Sequence, residues 1–428
     1  MLSSIRICID GMNLALSKGT GVATYGATLA QLFFEAKNPV DLLYGQDMPL
    51  AVSSGDIAKV LCEGIVGNYK SPRPRFYDKK WWIENSYHIF GHSAEKIFLD
   101  SDAVSSFPPC QNLYNIPALF RAAHGFFRTT GMFVKVKPPG PIDIMHWTYP
   151  VPIRMVGVKN IYTIHDLVPL IYPRMTLDKT KTYEKMIKTI VSTSDGICTV
   201  SENSKKDVEK LFPDSMGKVF NTYQAHLIKE DNVENNFYEI RKHIAGMDFL
   251  EYSEYYIYYG QIEPKKNTAR LIEAFLDSNS RRKLLLVGST GWKNADVMAI
   301  LRKGLELGRV IHIPYLPSKY LFALLRNARA LLFPSLIEGF GLPLLEAFTL
   351  GTPVLTSNMG ALQEVAGNAA MLVNPFNVSS IRDAIDLLDI SDALCLELSM
   401  KGKERSDFFS IAAYRNRLEQ FYEVILRK

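Results

Sequence analysis

The chain has 428 residues, of which 47% are hydrophobic and 22% charged, and this composition excludes a disordered or fibrous protein. Its length suits two domains of about 200 residues, and a net charge of only +5 gives no reason to expect a nucleic-acid partner. The five cysteines lie far apart and the eight histidines form no HExxH motif, so we expect neither a disulfide framework nor a metal site built by the protein.

Short apolar runs alternate with amphipathic stretches along the first half of the chain. Ile5–Ile9 predicts a strand, and Gly21–Phe34 has the apolar spacing of a helix. Further strands are predicted at Ile142–Met145, Ile161–Ile164 and Ile197–Val200. This alternation is typical of βαβ units, in which a parallel sheet carries helices on both faces.

The same alternation becomes sharper after about Glu251. The strands predicted there are Tyr255–Tyr259, Lys283–Val287, Val310–Ile313, Ala330–Phe333, Pro353–Thr356 and Ala370–Val373. The helices predicted between them are near Thr268–Leu276, Asn294–Leu307, Ser318–Ala328 and Leu342–Leu350. A polar connector, HLIKEDNVENNFYE, precedes this half, so we predict two α/β domains at residues 1–230 and 250–407.

Residues 66–140 interrupt the pattern with basic and aromatic residues. Between Lys70 and Lys137 there are ten Lys or Arg against five Asp or Glu, an excess equal to the net charge of the whole chain. Basic residues mixed with Trp, Phe and Tyr favour an interface with anionic lipid headgroups or with a pyrophosphate-bearing acceptor. The alternative is a solvated lid whose aromatic side chains pack on the first sheet.

Parallel sheets bind ligands where strands end and helices begin, so the loops after the predicted strands hold the candidate site residues. Gly19-Thr20-Gly21 enters the first helix, where glycines let the backbone approach an anion and the helix start offers N–H groups. A plain tight turn is the alternative. His165 follows a later strand and could contact a substrate hydroxyl or donate a proton, unless it is a satisfied structural histidine.

Two lysines stand at a predicted helix start in the second half, within GQIEPKKN (residues 260–267). The helix dipole disfavours cations at that end, so Lys265 and Lys266 predict a diphosphate bound between them and the helix. Two solvated surface lysines are the alternative.

The most specific pattern is PSLIEGFGLPLLE, residues 334–346. Gly339 and Gly341 permit an unusual backbone path, and Pro343 suits a first helical turn. Glu338 and Glu346 lie eight residues apart, which suits contact with two parts of one long ligand. The backbone N–H groups expected to point at that ligand belong to Phe340, Gly341 and Leu342. An ordinary glycine loop with surface charges is the alternative.

Residues from about 255 to 375 resemble the C-terminal half of the retaining glycosyltransferases of family 4, which have the GT-B fold. The resemblance rests on YGQIEPKKNTARLIEAF, on LLLVGS and on HIPYLPSKYLFALLRNARALLFPSLIEGFGLPLLEAFTLGTPVLTSNMGALQEVAGNAAMLVNP, in which Glu338 and Glu346 match the E-x7-E pair of the family. The first half is more loosely similar, through GTGVATY, TIHDLVP and SDGICTVSENSKKDV. The resemblance implies two Rossmann-like domains that face each other across a cleft, with a last helix at about 408–428 packed back on the first.

The resemblance also implies roles for the residues that match the family's motifs. Glu338 would contact the hydroxyls of the donor sugar, Glu346 the ribose, Lys266 the departing diphosphate and His165 the transferred sugar. The other donor-binding positions would be Gly19, Thr20, Gly21, Gly339, Phe340, Gly341 and Leu342, with Ile313 and Pro314 beside the base.

One departure from the family lies in the loop after Tyr259. Many members carry Arg where this chain has Gln261, and Arg-Lys where it has Lys265-Lys266. We therefore expect either that Lys265 supplies this diphosphate contact in place of the arginine or that the contact is weaker than in those members.

The implied reaction replaces a nucleoside diphosphate at the anomeric carbon with an acceptor hydroxyl and keeps the configuration. Lys266 and the helix start near Leu342 would stabilise the leaving diphosphate, so we expect no divalent metal and no cofactor beyond the donor. No carboxylate for a double displacement can be identified, which favours attack from the same face.

IEPKKN and EGFGLPLLEA look most like bacterial mannosyltransferases of surface polysaccharide assembly, such as that of O-antigen, which makes GDP-mannose the first choice of donor. A UDP- or dTDP-sugar (a glucosyl or rhamnosyl donor) is the alternative. The rival readings are a GT-B epimerase acting on UDP-sugars and a protein that binds nucleotide sugars without turnover. A nicotinamide dehydrogenase is poorly supported, because neither half has a full dinucleotide fingerprint.

The acceptor would be a glycan or lipid-linked glycan at the inner face of the cytoplasmic membrane, to which the chain would bind peripherally through residues 66–140. The first residues lack the apolar segment of a secretory signal, and no run of about 18 apolar residues occurs. We therefore expect a cytoplasmic location.

Overall fold

The computed structural model describes residues 5–15, 21–46, 91–97, 107–176, 179–225, 227–228, 233, 251–291 and 295–427. The chain divides into two compact units. The first comprises residues 1–200, 205–224 and 414–428, and the second comprises residues 201–204 and 225–413. Each unit holds one large sheet of mainly parallel strands, which confirms the predicted fold class.

The first unit is built on one large sheet in which most of the strands run parallel to their neighbours. Its described strands are β1 (Ile7–Asp10), β2 (Val40–Tyr44), β3 (Glu95–Ile97), β4 (Asn112–Asn115), β5 (Val134–Val136), β6 (Ile144–Trp147), β7 (Ile153–Met155), β8 (Lys159–Ile164), β9 (Gly196–Thr199) and β10 (Val219–Asn221). Eight of them pair in the order β10-β9-β8-β6-β1-β2-β4-β3, and only β3 runs antiparallel to its neighbour. In the register of the central strands, Ile7 lies opposite both Val40 and Ile144. β5 and β7 form a separate parallel pair.

The helices of the first half cover this sheet. They span Gly21–Glu35, Leu119–Thr130, Val168–Ile171, Thr180–Thr193 and Glu202–Leu211. The strand predicted at residues 142–145 begins two residues later, because Ile144–Trp147 is the stretch that pairs with β1 and β8. Buried polar residues such as His146 extend this strand beyond its apolar run.

The described part of the basic segment belongs to the body of the first unit. Residues 66–90 and 98–106 lie outside the described residues, but β4 joins the main sheet, and the helix Leu119–Thr130 packs in its core. The rings of Phe120, Phe126 and Phe127 are buried there. In the described part, therefore, the aromatic side chains stabilise the core, and the basic side chains of Arg121 and Arg128 are exposed.

The last helix, Ile411–Arg427, packs on the first sheet from Tyr414 onward. Tyr422 stacks on Phe33, with their ring planes 5° apart, and Gly196 leaves room for the helix. A Cβ at Gly196 would lie 2.6 Å from Ile425 Cδ1. Because glycine has no side chain, the last helix can lie close to the start of β9.

The second unit has an all-parallel sheet. Its strands are β11 (Tyr255–Tyr259), β12 (Lys283–Val287), β13 (Val310–Ile313), β14 (Ala330–Phe333), β15 (Val354–Ser357) and β16 (Met371–Val373). They pair in the order β13-β12-β11-β14-β15-β16. The described helices between and after them are Thr268–Asp277, Ala295–Glu306, Ser318–Asn327, Leu342–Leu350, Gly360–Ala366, Val378–Ile390 and Asp392–Phe408. Such a sheet is covered on both faces, which explains why its strands are near-continuous apolar runs.

Four buried tyrosines occupy the central strand β11, and each hydroxyl has a hydrogen-bond acceptor. At the amino end, Tyr255 donates to Leu324 O and Tyr256 to Asp389 Oδ1. At the carboxyl end, Tyr258 donates to Gln261 O and Tyr259 to Glu346. The second pair therefore connects the core strand to the loops at the carboxyl edge of the sheet.

Candidate functional site

The strand order of the second sheet places a candidate ligand site at the ends of β11 and β14. From β11 the chain builds outward to β12 and β13, and it then returns to the other side of β11 as β14. At such a reversal the two following loops leave toward opposite faces, and ligands bind in the crevice between them. We call residues 260–267, after β11, the lysine loop, and residues 334–341, after β14, the glycine loop.

The lysine loop and the glycine loop are hydrogen-bonded to each other. Leu336 N donates to Lys265 O at 2.8 Å, and the side chain of Asn267 donates to Pro334 O at 3.0 Å. The same Asn267 Nδ2 donates to Pro375 O at 2.7 Å. Asn267 has φ 59°, a left-handed conformation that asparagine tolerates better than most residues. Asn267 thereby ends the 3₁₀ turn Pro264–Lys266 and holds the two loops together.

Lys266 and Glu338 meet across these loops. Lys266 Nζ donates to Glu338 Oε1 at 2.6 Å, and it lies 5.1 Å from the centroid of the Phe333 ring. Only 17% and 12% of the two side chains are exposed, so water screens this pair less than it screens a surface pair. The structure thus brings together two of the residues that the sequence predicts for one ligand. Their roles toward the sugar and the diphosphate stay predictions.

The glycine loop ends in a backbone conformation that only glycine adopts easily. Gly341 has φ 108° and ψ 56° at the N-cap of the helix Leu342–Leu350, with no side-chain cap hydrogen bond. A Cβ at this position would lie 2.6 Å from Leu362 Cδ2. Pro343 stands in the first turn, as predicted. A helix start without a side-chain cap presents N–H groups and a positive dipole end to an anion.

The other predicted residues of the glycine loop lie in the same turn. Gly339, Phe340 and Leu342 are buried, and the Phe340 ring packs edge-on against Phe409, with 5.3 Å between the ring centroids. The side chain of Phe340 therefore belongs to the core, and only its backbone is available for the predicted ligand contact.

Glu346 lies inside the helix and is 8% exposed. Tyr259, at the end of β11, donates a hydrogen bond to Glu346 Oε2. The hydroxyl of Tyr259 also lies 3.3 Å from Pro343 O. Sequence reasoning did not select Tyr259, because its position in an apolar strand gives no sign that its hydroxyl reaches a carboxylate.

The remaining donor-site predictions lie at the same carboxyl edge of the second sheet. Gln261 is exposed, and its carbonyl accepts the Tyr258 hydroxyl at 3.3 Å. Lys265 Nζ lies 4.0 Å from Glu263 Oε2. Ile313 ends the edge strand β13 and accepts a hydrogen bond from Gly288 N at 2.8 Å.

Pro314 follows Ile313 and is exposed. It lies two strands away from β11, at the far side of the lysine loop. A nucleotide sugar that runs from the lysine loop along the edge of the sheet would bring its base near Pro314, as the sequence predicts.

The first unit holds two more of the predicted residues. Gly21 begins the helix Gly21–Glu35, whereas Gly19 and Thr20 lie outside the described residues. His165 directly follows β8, and its Nε2 donates to Thr148 O at 2.9 Å. Because a carbonyl only accepts, this bond places the imidazole proton on Nε2. Burial lowers the pKa of His165, so the ring is neutral near pH 7.

Asp10 is a buried carboxyl that sequence reasoning did not assign to a site. It ends β1, where its oxygens accept hydrogen bonds from Thr148 N and Met12 N. Burial raises the pKa of Asp10 to about 6, although these bonds favour its charged form. Because β1 and β6 are the strands at which the first sheet reverses direction, Asp10 stabilises the loop at the equivalent position of the first unit.

Among the residues that the structure describes, no group of three or more His, Cys, Asp or Glu side chains is placed to hold a metal ion. No described helix combines the length and the apolar character needed to cross a bilayer. The expectation of a metal-independent reaction stays a prediction.

Residues 241–405, which include both loops, match the family described as Glycosyl transferases group 1. The chain is also 29% identical over 231 residues to O-antigen chain mannosyltransferase B of Escherichia coli and 27% identical over 237 residues to O-antigen chain mannosyltransferase RfbU of Salmonella typhimurium. These alignments cover 52% and 54% of this chain, and 59% and 62% of the two relatives, so the chain spans less than two thirds of either relative's length.

Solved structures resemble the whole chain in fold, including the segment 241–405. Sucrose-phosphate synthase from Thermosynechococcus elongatus superposes with a TM-score of 0.68 at 17% identity, covering 99% of each chain. WaaG, a glycosyltransferase involved in lipopolysaccharide biosynthesis, superposes with a TM-score of 0.59 at 14% identity, covering 97% of this chain and 98% of WaaG. At these identities the likeness concerns the fold alone, which is the GT-B fold.

Proposed function

We propose that the chain is a retaining glycosyltransferase of family 4 that moves a hexose from a nucleotide sugar to a hydroxyl of a glycan or lipid-linked glycan. The observation that carries the proposal is the pairing of Lys266 with Glu338 beside the start of the helix Leu342–Leu350. An ammonium group and a helix start suit the diphosphate of a nucleotide sugar, and a carboxylate suits the hydroxyls of its sugar.

In the proposed reaction, negative charge develops on the leaving diphosphate as its bond to the anomeric carbon breaks. Lys266 and the N–H groups of the helix start would stabilise that charge, because they are held in place before the reaction. Lys265 would supply a second cation, in place of the Arg that many members of family 4 carry at Gln261. Such a set of donors can act without a divalent metal, and attack from the same face keeps the configuration.

The names of the relatives support mannose as the sugar and surface polysaccharide synthesis as the process, and we propose GDP-mannose as the donor. Five of the matched relatives are called O-antigen chain or serotype-specific mannosyltransferases. Donors based on UDP or dTDP are the alternatives within the same activity, and the experiment below distinguishes them.

A lipid-linked acceptor would bring the chain to an anionic membrane surface. Five Lys or Arg residues of the described basic segment are exposed on the first unit, namely Lys96, Arg121, Arg128, Lys135 and Lys137. Each basic residue near an anionic surface contributes about 1 kcal/mol of attraction, so this group supports peripheral binding at the cytoplasmic face.

The test is product analysis with GDP-mannose, UDP-glucose and dTDP-rhamnose, each offered with a membrane-lipid extract as the source of acceptor. We expect a mannosylated product from GDP-mannose, with the anomeric configuration of the donor retained in its NMR spectrum and turnover that survives EDTA. The Glu338→Gln variant is the matched control and should form little product. A donor that is isomerised without transfer would refute the proposal in favour of an epimerase.

A further inference from the structure

The hydroxyl of Tyr259 lies between two acceptors in the helix that follows the glycine loop. It donates to Glu346 Oε2, and it lies 3.3 Å from Pro343 O. Both neighbours can only accept, so the tyrosine must be the donor. A hydrogen bond to a charged acceptor is about twice as strong as one to a neutral carbonyl, so the bond to Glu346 dominates.

Burial makes this contact more than a surface pairing. Tyr259 is 7% exposed and Glu346 is 8% exposed, so both groups have lost most of their contact with water. A buried carboxylate needs hydrogen-bond donors, and its orientation depends on where those donors are held. Tyr259 is held by the central strand β11, which pairs with β12 on one side and with β14 on the other.

The bond from Tyr259 occupies a single acceptor position of the Glu346 carboxylate. A carboxylate has two oxygens with about four acceptor positions, and Tyr259 uses one of them at Oε2. Vicinal hydroxyls of a sugar are donors that a carboxylate can bind through both oxygens. Their binding requires the plane of the carboxylate to be fixed, because a freely rotating group loses conformational entropy when the ligand binds.

We propose that Tyr259 is a positioning residue, whose hydroxyl holds the Glu346 carboxylate in the orientation that binds the 2′- and 3′-hydroxyls of the donor's ribose. The inference rests on the proposed function, in which Glu346 faces the ribose. Burial and the nearby carboxylate raise the pKa of Tyr259 well above its ordinary value. The hydroxyl therefore keeps its proton and remains a donor across the physiological range.

The experiment compares Tyr259→Phe with Tyr255→Phe, which removes an equally buried hydroxyl from the other end of the same strand. Tyr255 donates to Leu324 O at 2.7 Å, away from both loops. Calorimetry would measure the binding of GDP, of UDP and of dTDP, and of the 2′,3′-dideoxy analogue of whichever ribonucleotide binds more tightly. Tyr259→Phe should weaken the ribonucleotide about tenfold, equivalent to about 1.4 kcal/mol, and the dideoxy analogue less than twofold.

The control and the double variant separate positioning from a structural role. Tyr255→Phe should lower the melting temperature without changing either affinity. In a Glu346→Gln background, adding Tyr259→Phe should weaken binding of the ribonucleotide less than twofold, because the carboxylate that Tyr259 orients is already gone. In turnover, KM for the donor should rise more than kcat falls.

Two results would overturn the inference while leaving the proposed function intact. One is ribonucleotide binding by Tyr259→Phe that equals that of the wild type. The other is an equal loss for the ribonucleotide and its dideoxy analogue, which would mean that Tyr259 only supports the fold. Binding of dTDP alone would also contradict the inference, because its deoxyribose has no 2′-hydroxyl. Failure of the wild type to bind any of GDP, UDP and dTDP would instead sink the proposed function, and this inference with it.

Discussion

Replacing Lys266 with methionine and Glu338 with glutamine, singly and together, tests whether their ion pair serves the ligand or only the fold. The pair is 2.6 Å long, with 17% and 12% of the side chains exposed. Exposed pairs contribute at most about 1 kcal/mol, whereas removing one partner of a buried pair costs about 3–5 kcal/mol. With this exposure we expect each single change to cost about 2–3 kcal/mol in the free energy of unfolding.

The double variant should recover much of that stability but none of the turnover. With both charges gone, no uncompensated charge remains, so the double change should cost about 1 kcal/mol. In the reaction, however, Lys266 and Glu338 would act on different parts of the donor. Each single change should cut turnover at least about a hundredfold, since one preorganised contact contributes about 3 kcal/mol in the transition state, and the double variant should be no better.

Urea unfolding and initial rates of transfer from GDP-mannose measure the two effects separately. Arg282→Met and Asp389→Asn provide a matched control, because that pair is 2.8 Å long with both side chains 17% exposed and lies in the same unit. They should lower stability and leave turnover unchanged below the unfolding transition. Recovery of turnover together with stability in the Lys266→Met/Glu338→Gln variant would refute the assignment, because the pair would then matter only to the fold.

Two other perturbations follow from the geometry. Gly341→Ala should lose about 1–3 kcal/mol of stability and most donor binding, because its φ of 108° is strained and its Cβ would meet Leu362 at 2.6 Å. Gly308 serves as a control, because it also has a positive φ of 63° but no atom lies within 4 Å of the position of an added Cβ. Calorimetry of Gly308→Ala should therefore find a small loss of stability and unchanged binding of the donor. Burial lowers the pKa of His146 from 6.5 to about 3, so the unfolded chain takes up a proton there below pH 6.5 and the folded chain does not. The contribution of His146 is complete above pH 6.5 and falls by about 2 kcal/mol at pH 5. His146→Gln should remove that part of the pH dependence of urea unfolding, and an unchanged slope between pH 7.5 and 5 would contradict it.

The strands of the second unit could be predicted from the sequence because its sheet is covered on both faces. β11, β12, β13 and β14 begin and end at the predicted residues, since each is a near-continuous apolar run between turns. The same argument failed for β4 in the first unit, whose sequence is Asn-Leu-Tyr-Asn. Asn112 donates to Asp41 Oδ1 at 2.7 Å, so a polar residue at the start of that strand is satisfied by a neighbouring strand. A sequence pattern that reads polar residues as turn signals cannot reveal such a pairing.

The candidate site likewise has some features that the local sequence determines and others that depend on residues far apart in the chain. The path of the glycine loop could be predicted, because glycines and a proline at fixed spacing set the backbone near Gly341 without help from elsewhere. The contacts could not, because Lys266 and Glu338 lie 72 residues apart and Tyr259 and Glu346 lie 87 apart. Those contacts depend on β11 and β14 being neighbours, and the order of strands in the sheet is a property of the whole unit.

The pairing of Lys266 with Glu338 also bears on how a donor would enter. Without a ligand each group neutralises the other, so neither charge is left buried alone. A diphosphate offers Lys266 more negative charge than one carboxylate does, and sugar hydroxyls offer Glu338 donors in exchange for the ammonium group. A nucleoside diphosphate without its sugar supplies only the first half of that exchange. In the proposed reaction, the intact nucleotide sugar would therefore separate the two residues at a lower cost than its product would, and this difference would favour release of the product after transfer.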